Sequence, residues 1–270
     1  MTSPKAISPI KVTIVQAPLV WADKKANLAY FANTLEPLVG GTDLVVLPEM
    51  FATGFVTDPT EVAETMNGIV MDWMTATASN LGCVITGSIT IAEKGRYYNR
   101  LIWMRPDGSF ETYDKRHLFR MGNEHQRFSA GKKQLIVDLN GWKIMPLVCY
   151  DLRFPVWSKN RYKDGSYEYD LVLYIANWPA SRSSVWKWLL TARAIENLAY
   201  CVGVNRIGDD GHGLPHSGDS RVLDFKGRKI VKAASGVESV HTVTLDHKKL
   251  QDFRTKFAVG LDWDFFDIKR

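Results

Sequence analysis

The pattern of apolar and polar positions along the chain alternates between strand-like runs and helix-like repeats. Residues 10–16 alternate β-branched and other residues, as a strand does. Residues 44–47 are apolar throughout, which is typical of a short strand covered on both faces. Asn140-Gly141 and Lys226-Gly227 favour tight hairpin turns. Similar apolar runs predict strands over residues 83–91, 100–105, 110–113, 135–139, 143–148, 170–176, 199–205, 221–225, 229–233 and 241–245.

Apolar residues at helical spacing predict helices between these strands. Asp23 can cap the first helix, and Gly40-Gly41 would end it. Gly82 can cap the C-terminus of the second helix, and Ser183 or Ser184 the N-terminus of the last. The predicted helices cover residues 28–38, 70–81, a stretch from 155 onward, and 186–198.

The order of these elements predicts an α/β protein. Strand–helix units with inserted hairpins indicate helices that cover a mixed sheet, and the many short strands also allow two sheets. The chain has no internal repeat and no long Pro/Gly/Ser linker, so we predict a single domain over residues 1–270. The tail, residues 250–270, contains Trp263, Phe265 and Phe266, and we expect it to pack on another surface such as a second subunit.

Three reactive side chains stand at the ends of apolar runs. Glu49, Lys115 and Cys149 each occupy such a position, and Cys149 also precedes a predicted helix start. A helix N-terminus and nearby cations favour the thiolate form of a cysteine. A thiol, a carboxylate and an ammonium are the components of a thiol-dependent hydrolase. A cysteine that follows a strand is also often a small buried apolar residue, so position alone leaves both interpretations open.

Charge and cysteine content exclude several other classes of protein. The net charge of +5 arises from basic residues interleaved with acids, which argues against a nucleic-acid surface. Cys83, Cys149 and Cys201 are odd in number and widely spaced, unlike a disulfide framework or a zinc site. His212 and His216 lie among glycines and a proline, which predicts a loop rather than a metal-binding helix. We therefore predict no metal and no other cofactor.

Residues 1–9 and the apolar stretches of the chain suggest its compartment. Residues 1–9 have no apolar segment of the kind found in secretory signals. No apolar stretch is long enough to span a bilayer, so no membrane partner is expected. The spacing of the cysteines does not indicate disulfides either. Together these features favour the reducing cytoplasm.

The segments around the three strand-end residues resemble those of a known family. They read Leu-Pro-Glu-Met-Phe at 47–51, Tyr-Asp-Lys-Arg-His at 113–117 and Cys-Tyr-Asp-Leu-Arg-Phe-Pro at 149–155. Together they resemble the nitrilase superfamily of carbon–nitrogen hydrolases, whose active site is a Glu-Lys-Cys triad. The resemblance extends over nearly the whole chain, including residues 192–197 and 218–220.

Residues 115–121, 149–155 and 176–179 are further similar to one branch of that superfamily, the bacterial omega-amidases. Such enzymes hydrolyse the terminal amide of short dicarboxylate monoamides such as 2-oxoglutaramate and 2-oxosuccinamate, releasing ammonia. The resemblance implies an α-β-β-α sandwich, in which helices cover two mixed sheets, and a homodimer. It also implies a small-molecule amide as the partner of the site.

The resemblance assigns a role to each candidate catalytic residue. Cys149 would be the nucleophile and Glu49 the proton carrier. Lys115 would stabilise the oxyanion and favour the Cys149 thiolate, with the backbone N–H of Tyr150 as the second oxyanion donor. Glu124 resembles the family's second glutamate, which holds the lysine or orients the substrate. The alternative for Glu124 is a solvated loop acid.

Substrate binding is expected from two further residues. Arg153 can bind the far carboxylate of the substrate in a bidentate manner, or form a structural salt bridge with Asp151 or another acid. Trp178 can form a wall of the pocket or belong to the core. We expect Arg193 and Glu196 to form a buried ion pair, and Cys83 and Cys201 to lie in the core because they fall within apolar runs.

Other functions stay open on the sequence alone. Another nitrilase-superfamily activity on an amide, a carbamoyl group or a nitrile would use the same triad. A non-enzymatic binding protein could share the fold, although Glu49, Lys115 and Cys149 are all present. A redox sensor built on Cys149 lacks an obvious resolving cysteine.

Overall fold

Two six-stranded mixed sheets lie face to face in a computed structural model that describes residues 6–268. The first sheet has the strand order β16-β1-β2-β3-β4-β5, and the second has the order β15-β14-β11-β10-β7-β6. Two short hairpins, β8-β9 and β12-β13, stand apart from them. In this part of the chain the strands are β1 Ile10–Gln16, β2 Leu44–Val46, β3 Val84–Glu93, β4 Arg96–Met104, β5 Phe110–Asp114, β6 Val137–Leu139, β7 Trp142–Val148, β8 Tyr162–Lys163, β9 Ser166–Tyr167, β10 Leu171–Ala176, β11 Tyr200–Asn205, β12 Ile207–Asp209, β13 Pro215–Ser217, β14 Arg221–Leu223, β15 Lys229–Lys232 and β16 Ser239–Leu245.

The helices of the described chain are α1 Lys24–Leu35, α2 Ile69–Leu81, α3 Glu124–Arg127, α4 Pro155–Ser158, α5 Ser183–Glu196 and α6 His247–Lys256. The three longest, α1, α2 and α5, cover the outer faces of the sheets. Phe31 of α1 and Met74 of α2 are fully buried with Val45 and Ile85 of the first sheet. On the other side α5 approaches the second sheet closely at Gly203, where a side chain would collide with the helix. The layers are therefore helix, sheet, sheet and helix, which confirms the predicted α-β-β-α sandwich.

The parallel strands set the position of the site. In the first sheet β2 lies between β1 and β3 and runs parallel to both. In the second sheet β10 is parallel to β7 and to β11. The carboxyl ends of parallel strands come together at one edge of a sheet, where ligands of open α/β sheets usually bind. Residues that follow β2, β7 and β10 are thereby brought to a common edge.

Several predicted helix boundaries were wrong for identifiable reasons. The first helix ends at Leu35 and continues only as a 3-10 turn over Glu36–Leu38, because Pro37 has no N–H for the helical ladder. The helix expected from Pro155 is a single turn, followed by β8 and β9. Ser183 does not cap α5, since its hydroxyl donates to the carboxylate of Asp219 at 2.7 Å. The cap of α1 by Asp23 is confirmed.

The tail packs largely on its own chain as far as it is described. The ammonium of Lys159 lies 3.4 Å from the ring centroid of Trp263, and the ring of Phe253 stacks on Phe225 at 4.9 Å. Phe265 remains 87% exposed. Packing of the tail on a second subunit, and one domain over the full chain, stay predictions; residues 1–5 and 269–270 lie outside the described part. Among residues 6–268 no helix combines the length and apolar content needed to cross a membrane.

Candidate active site

Glu49, Lys115 and Cys149 line one cavity at the shared strand edge. Glu49 follows β2 and Lys115 follows β5, so both come from the first sheet, whereas Cys149 follows β7 of the second. Glu49 is fully buried, Lys115 is 1% exposed and Cys149 is 9% exposed. The cavity measures about 70 Å³, and because one water needs about 10–15 Å³ on this measure it accommodates only a small molecule.

Lys115 is held between two buried carboxylates. Its Nζ donates to Glu49 Oε1 at 2.9 Å and to Glu124 Oε2 at 2.9 Å. Glu124 is fully buried and also accepts the backbone N–H of Phe119 at 2.6 Å, so it is not a solvated loop acid. The cluster holds the lysine side chain in one orientation toward the cavity.

The two carboxylates of this cluster stabilise the charge on Lys115. Burial on its own would lower the pKa of Lys115, but the carboxylates of Glu124 and Glu49 outweigh it and raise that pKa above its ordinary value. Burial raises the pKa of Glu124, and Lys115 opposes that shift. Lys115 therefore stays an ammonium throughout the physiological range and provides a permanent positive charge.

Asn99 of β4 joins the two carboxylates and was missed in the sequence. Its Nδ2 donates to Glu49 Oε1 at 2.8 Å and to Glu124 Oε1 at 3.3 Å. Its backbone carbonyl accepts the N–H of Lys115 at 2.9 Å. Asn99 lies within β4 but outside the predicted strand over residues 100–105, so no sequence pattern selected it.

Asn177 connects Glu49 with the nucleophile from the other sheet. Its backbone N–H donates to Glu49 Oε2 at 2.8 Å, and its Nδ2 donates to the Glu49 backbone carbonyl at 2.5 Å. Its own carbonyl oxygen lies 3.9 Å from Cys149 Sγ. Asn177 follows β10 directly, and this strand-end position, the same signal that selected Glu49, could have identified it.

Cys149 occupies a strained turn at the end of β7. Its φ of 45° lies in the left-handed region, which costs a non-glycine residue about 1–2 kcal/mol. It begins a 3-10 turn over Cys149–Arg153, ahead of the single turn of α4 at Pro155. Strain of this kind is common where a reactive side chain must be presented to a ligand.

The net shift of the Cys149 pKa is upward, although Lys115 favours the thiolate as expected. Burial raises the pKa of the thiol well above its ordinary value, and the Glu49 carboxylate raises it further. Lys115 lowers it, but by less than these two effects together. A single 3-10 turn also supplies only a weak helix dipole. The nucleophile therefore rests as a neutral thiol and needs a base to become reactive.

The residues predicted to bind substrate all line the cavity. The Arg153 guanidinium lies 5.0 Å from the ring centroid of Trp178 and has no ion pair within residues 6–268. Asp151 bonds Tyr113 and His117 instead of Arg153. Trp178 forms part of the cavity wall and also belongs to the core. Its ring centroid lies 5.5 Å from that of the buried Trp186.

Three further polar residues line the cavity and were not predicted: Arg182, Asp210 and His216. The Arg182 guanidinium lies 5.5 Å from the ring centroid of Phe119, whose other neighbour is the ring of Tyr150 at 5.2 Å. His216 lies on β13 and not in a loop, and burial lowers its pKa. Over the described residues, no three His, Cys, Asp or Glu side chains gather as they would around a metal ion.

The remaining sequence predictions concern residues away from the cavity. Cys83 and Cys201 are buried in the core, and burial raises the pKa of Cys83 to about 12. Arg193 Nη1 donates to Glu196 Oε1 at 2.8 Å, which confirms the ion pair. Only the arginine is buried, since the glutamate side chain is 37% exposed.

Comparison with known proteins gives a consistent result. The family model for carbon-nitrogen hydrolases matches residues 11–255. Omega-amidase YafV of Escherichia coli (strain K12) is 45% identical over 259 residues, 96% of this chain and 98% of that protein. A 2-oxoglutaramate amidase of Bacillus subtilis is 34% identical over 84% of this chain and 85% of its own length.

A solved structure agrees with these sequence relatives. XC1258 of Xanthomonas campestris, a CN-hydrolase superfamily protein whose active site carries an arsenic adduct, is 44% identical. It superposes with a TM-score of 0.95 over 97% of this chain and 99% of its own. The chain therefore belongs to the carbon-nitrogen hydrolase family of the nitrilase superfamily and is a hydrolase of carbon–nitrogen bonds other than peptide bonds.

Proposed function

We propose that this protein is an omega-amidase that hydrolyses short dicarboxylate monoamides, such as 2-oxoglutaramate and 2-oxosuccinamate, to the dicarboxylate and ammonia. The main support is one small cavity that joins Glu49, Lys115 and Cys149 with Arg153 and Arg182. The first three provide amide chemistry, and the two arginines favour an anionic substrate. The 45% identity to an omega-amidase supports the same assignment.

In the first half of the reaction the Cys149 thiol attacks the amide carbon. Glu49 takes the thiol proton as the sulfur–carbon bond forms, and passes it to the departing nitrogen, which leaves as ammonia. The negative oxygen of the intermediate is stabilised by the Lys115 ammonium and the backbone N–H of Tyr150. Loss of one such donor typically costs about 3 kcal/mol of barrier.

In the second half water hydrolyses the thioester. Glu49 removes a proton from the water as it attacks the acyl carbon, and returns the proton to the sulfur of Cys149. Both oxygens of Glu49 are held in place for these transfers, Oε1 by Lys115 and Asn99 and Oε2 by the Asn177 N–H. Glu124 would act by holding Lys115 in the cavity.

Arg153 is the proposed anchor of the far carboxylate. Trp178 supports its guanidinium from one side, and no carboxylate of the described chain occupies it. A planar guanidinium can bind a carboxylate through two parallel hydrogen bonds. This contact would select dicarboxylate monoamides over simple amides.

The molecule is further proposed to act as a homodimer in a reducing cytoplasm. Trp188 and Ile195, two turns apart on α5, are 71% and 50% exposed. Apolar side chains exposed on one side of a protein commonly mark an interface with another chain. All three cysteines are free, as is usual in a reducing compartment.

Ammonia release from a panel of substrates tests the proposed function. We expect 2-oxoglutaramate to be hydrolysed much faster than simple nitriles or N-carbamoyl amino acids. Cys149→Ala is expected to abolish turnover while the protein stays folded, and Cys83→Ala serves as the matched cysteine control. Fast nitrile turnover with an idle oxo-amide would reverse the assignment, and an active Cys149→Ala variant would remove the proposed nucleophile.

Arg153→Ala tests the carboxylate anchor. Because a hydrogen bond to a charged group contributes about 1.5–3 kcal/mol, KM for 2-oxoglutaramate should rise by about 10- to 100-fold. A simple amide of similar length, without the carboxylate, should be turned over as by the unmodified enzyme. A parallel loss for both substrates would show that Arg153 does not read the carboxylate.

A further inference from the structure

Asp151 joins the segment of Lys115 to the segment of Cys149. Its carboxylate is fully buried. On the nucleophile side, Val148 precedes Cys149, and its N–H donates to Asp151 Oδ2 at 3.1 Å. On the lysine side, the same oxygen accepts the hydroxyl of Tyr113 at 2.7 Å. One carboxylate oxygen therefore holds both segments.

The other oxygen of Asp151 repeats this connection. Oδ1 accepts the backbone N–H of His117 at 3.0 Å and lies 2.7 Å from His117 Nδ1. The His117 ring stacks on Phe154, which ends the turn of the nucleophile, with 3.7 Å between ring centroids. Tyr113 and His117 flank Lys115 on either side in the sequence. The lysine backbone is thus fastened to the cysteine turn at both of its ends.

We infer that Asp151 is a positioning residue that sets the place of the Lys115 ammonium relative to Cys149, an inference that rests on the proposed function. Lys115 and Cys149 come from different sheets, and the oxyanion must lie within reach of both. A misplacement of about 1 Å at a reacting centre can cost about 10²-fold in rate. Asp151 itself does not line the cavity.

Asp151 has a second role, which is to stabilise the strained backbone at Cys149. The left-handed backbone at Cys149 persists only if its surroundings hold it. The bond from Val148 N–H to Asp151 fixes the residue before it. Burial raises the pKa of Tyr113 well above its ordinary value, and Asp151 raises it further, so the tyrosine hydroxyl keeps the proton that it donates.

A double-mutant cycle with Lys115 tests this role. The rate of Cys149 acylation by a p-nitrophenyl ester is measured in single turnovers, which does not require that 2-oxoglutaramate is the substrate. Tyr113→Phe removes the Asp151 bond on the lysine side, together with the bonds that the hydroxyl accepts from Trp157 Nε1 and the Arg116 N–H, and leaves the bond to Val148 in place. We expect about a 10-fold slower acylation with an unchanged half-saturating ester concentration, and about a 10²-fold loss for Asp151→Asn.

The deciding observation is the Lys115→Ala background. If Asp151 acts through Lys115, Tyr113→Phe should change acylation there by less than about 3-fold, because coupled residues are not additive. An equal loss in both backgrounds would overturn the inference, as would a full-rate Asp151→Asn variant. Should Asp151→Asn fail to fold, the Tyr113→Phe cycle decides alone. Tyr174→Phe is the control, since its buried hydroxyl makes no hydrogen bond within the described chain.

Discussion

The protonation state of Cys149 determines how the proposed reaction begins. The thiol lies between a carboxylate and an ammonium, and burial together with Glu49 outweighs Lys115 in setting its pKa. A neutral thiol reacts slowly with an amide, so the same carboxylate that disfavours the thiolate must also remove its proton during attack. Glu49 has two opposite effects on the sulfur, and they can be separated by experiment.

Glu49→Gln should make Cys149 more acidic and the enzyme inactive. Because Glu49 raises the thiol pKa, its neutral replacement should move the midpoint of Cys149 alkylation by iodoacetamide to lower pH. Amide turnover should fall by about 10²–10⁴-fold through loss of the general base. Mass spectrometry measures the rate of alkylation at pH 8, below the midpoint of the unmodified protein, where a lower midpoint appears as faster alkylation; Cys149→Ala is the blank. A midpoint that stays or rises would contradict this account of the site.

Individual site residues were predictable to different extents. Glu49, Lys115 and Cys149 were found because each follows an apolar run, and parallel strands bring their ends together. Asn177 also follows an apolar run and was overlooked, whereas the importance of Asn99 depends on pairs of atoms far apart in sequence. The neutral Cys149 thiol was likewise unpredictable, since it reflects burial that only the packed cavity creates.

Helix α6 shows how a single polar side chain can attach an element. Arg254 Nη1 donates to Asp170 Oδ1 at 2.6 Å, Nη2 to the Tyr169 carbonyl at 2.7 Å, and Nε to the Leu198 carbonyl at 2.9 Å. These contacts connect α6 with the start of β10 and the segment after α5. The sequence did not predict α6, because its buried face is mainly polar and hydrophobic periodicity cannot reveal such a face.

Arg254→Met should destabilise the protein by about 3–5 kcal/mol, since it leaves the Asp170 carboxylate buried without its cation. Burial would raise the pKa of Asp170, but the bond to His247 and the charge of Arg254 lower it below the ordinary value. The stabilisation is therefore present above the unfolded pKa of about 3.9 and disappears as pH falls through the folded pKa.

Urea unfolding at pH 7 and pH 3 measures both parts of this prediction. The difference between Arg254→Met and the unmodified protein should be large at pH 7 and shrink at pH 3. The double variant Arg254→Met with Asp170→Asn should recover part of the loss, because it no longer buries an unpaired charge. A difference in free energy of unfolding that is independent of pH would argue against the ion pair as its source.

For the molecule as a whole, the sequence predicted the class but not the arrangement. Apolar runs indicated α/β with one or two sheets, and the resemblance supplied the sandwich. The pairing of β1 with β16, from opposite ends of the chain, could not be derived from local patterns. Strand register is set by packing against distant partners, which the sequence of one strand does not contain.

Trp188 should be the anchor of the proposed homodimer. Truncation of a large aromatic residue at the centre of an interface often costs about 2 kcal/mol or more of binding free energy. Trp188→Asp is therefore expected to convert the dimer to monomer in light scattering at micromolar concentration. Val39→Asp, at another exposed apolar side chain, is the control. A monomeric unmodified protein, or an unchanged mass for Trp188→Asp, would contradict the proposal.

Glu49 and Cys149 follow strands of different sheets, and this division has a consequence for how the enzyme fails. A small sliding movement between the two sheets would leave every strand and helix intact. It would nevertheless separate the Glu49 carboxylate from Cys149 Sγ. As the urea concentration rises, activity should therefore be lost before far-ultraviolet ellipticity declines. Activity should return when the urea is diluted. Catalytic activity in this molecule therefore reports how tightly its two sheets pack against each other.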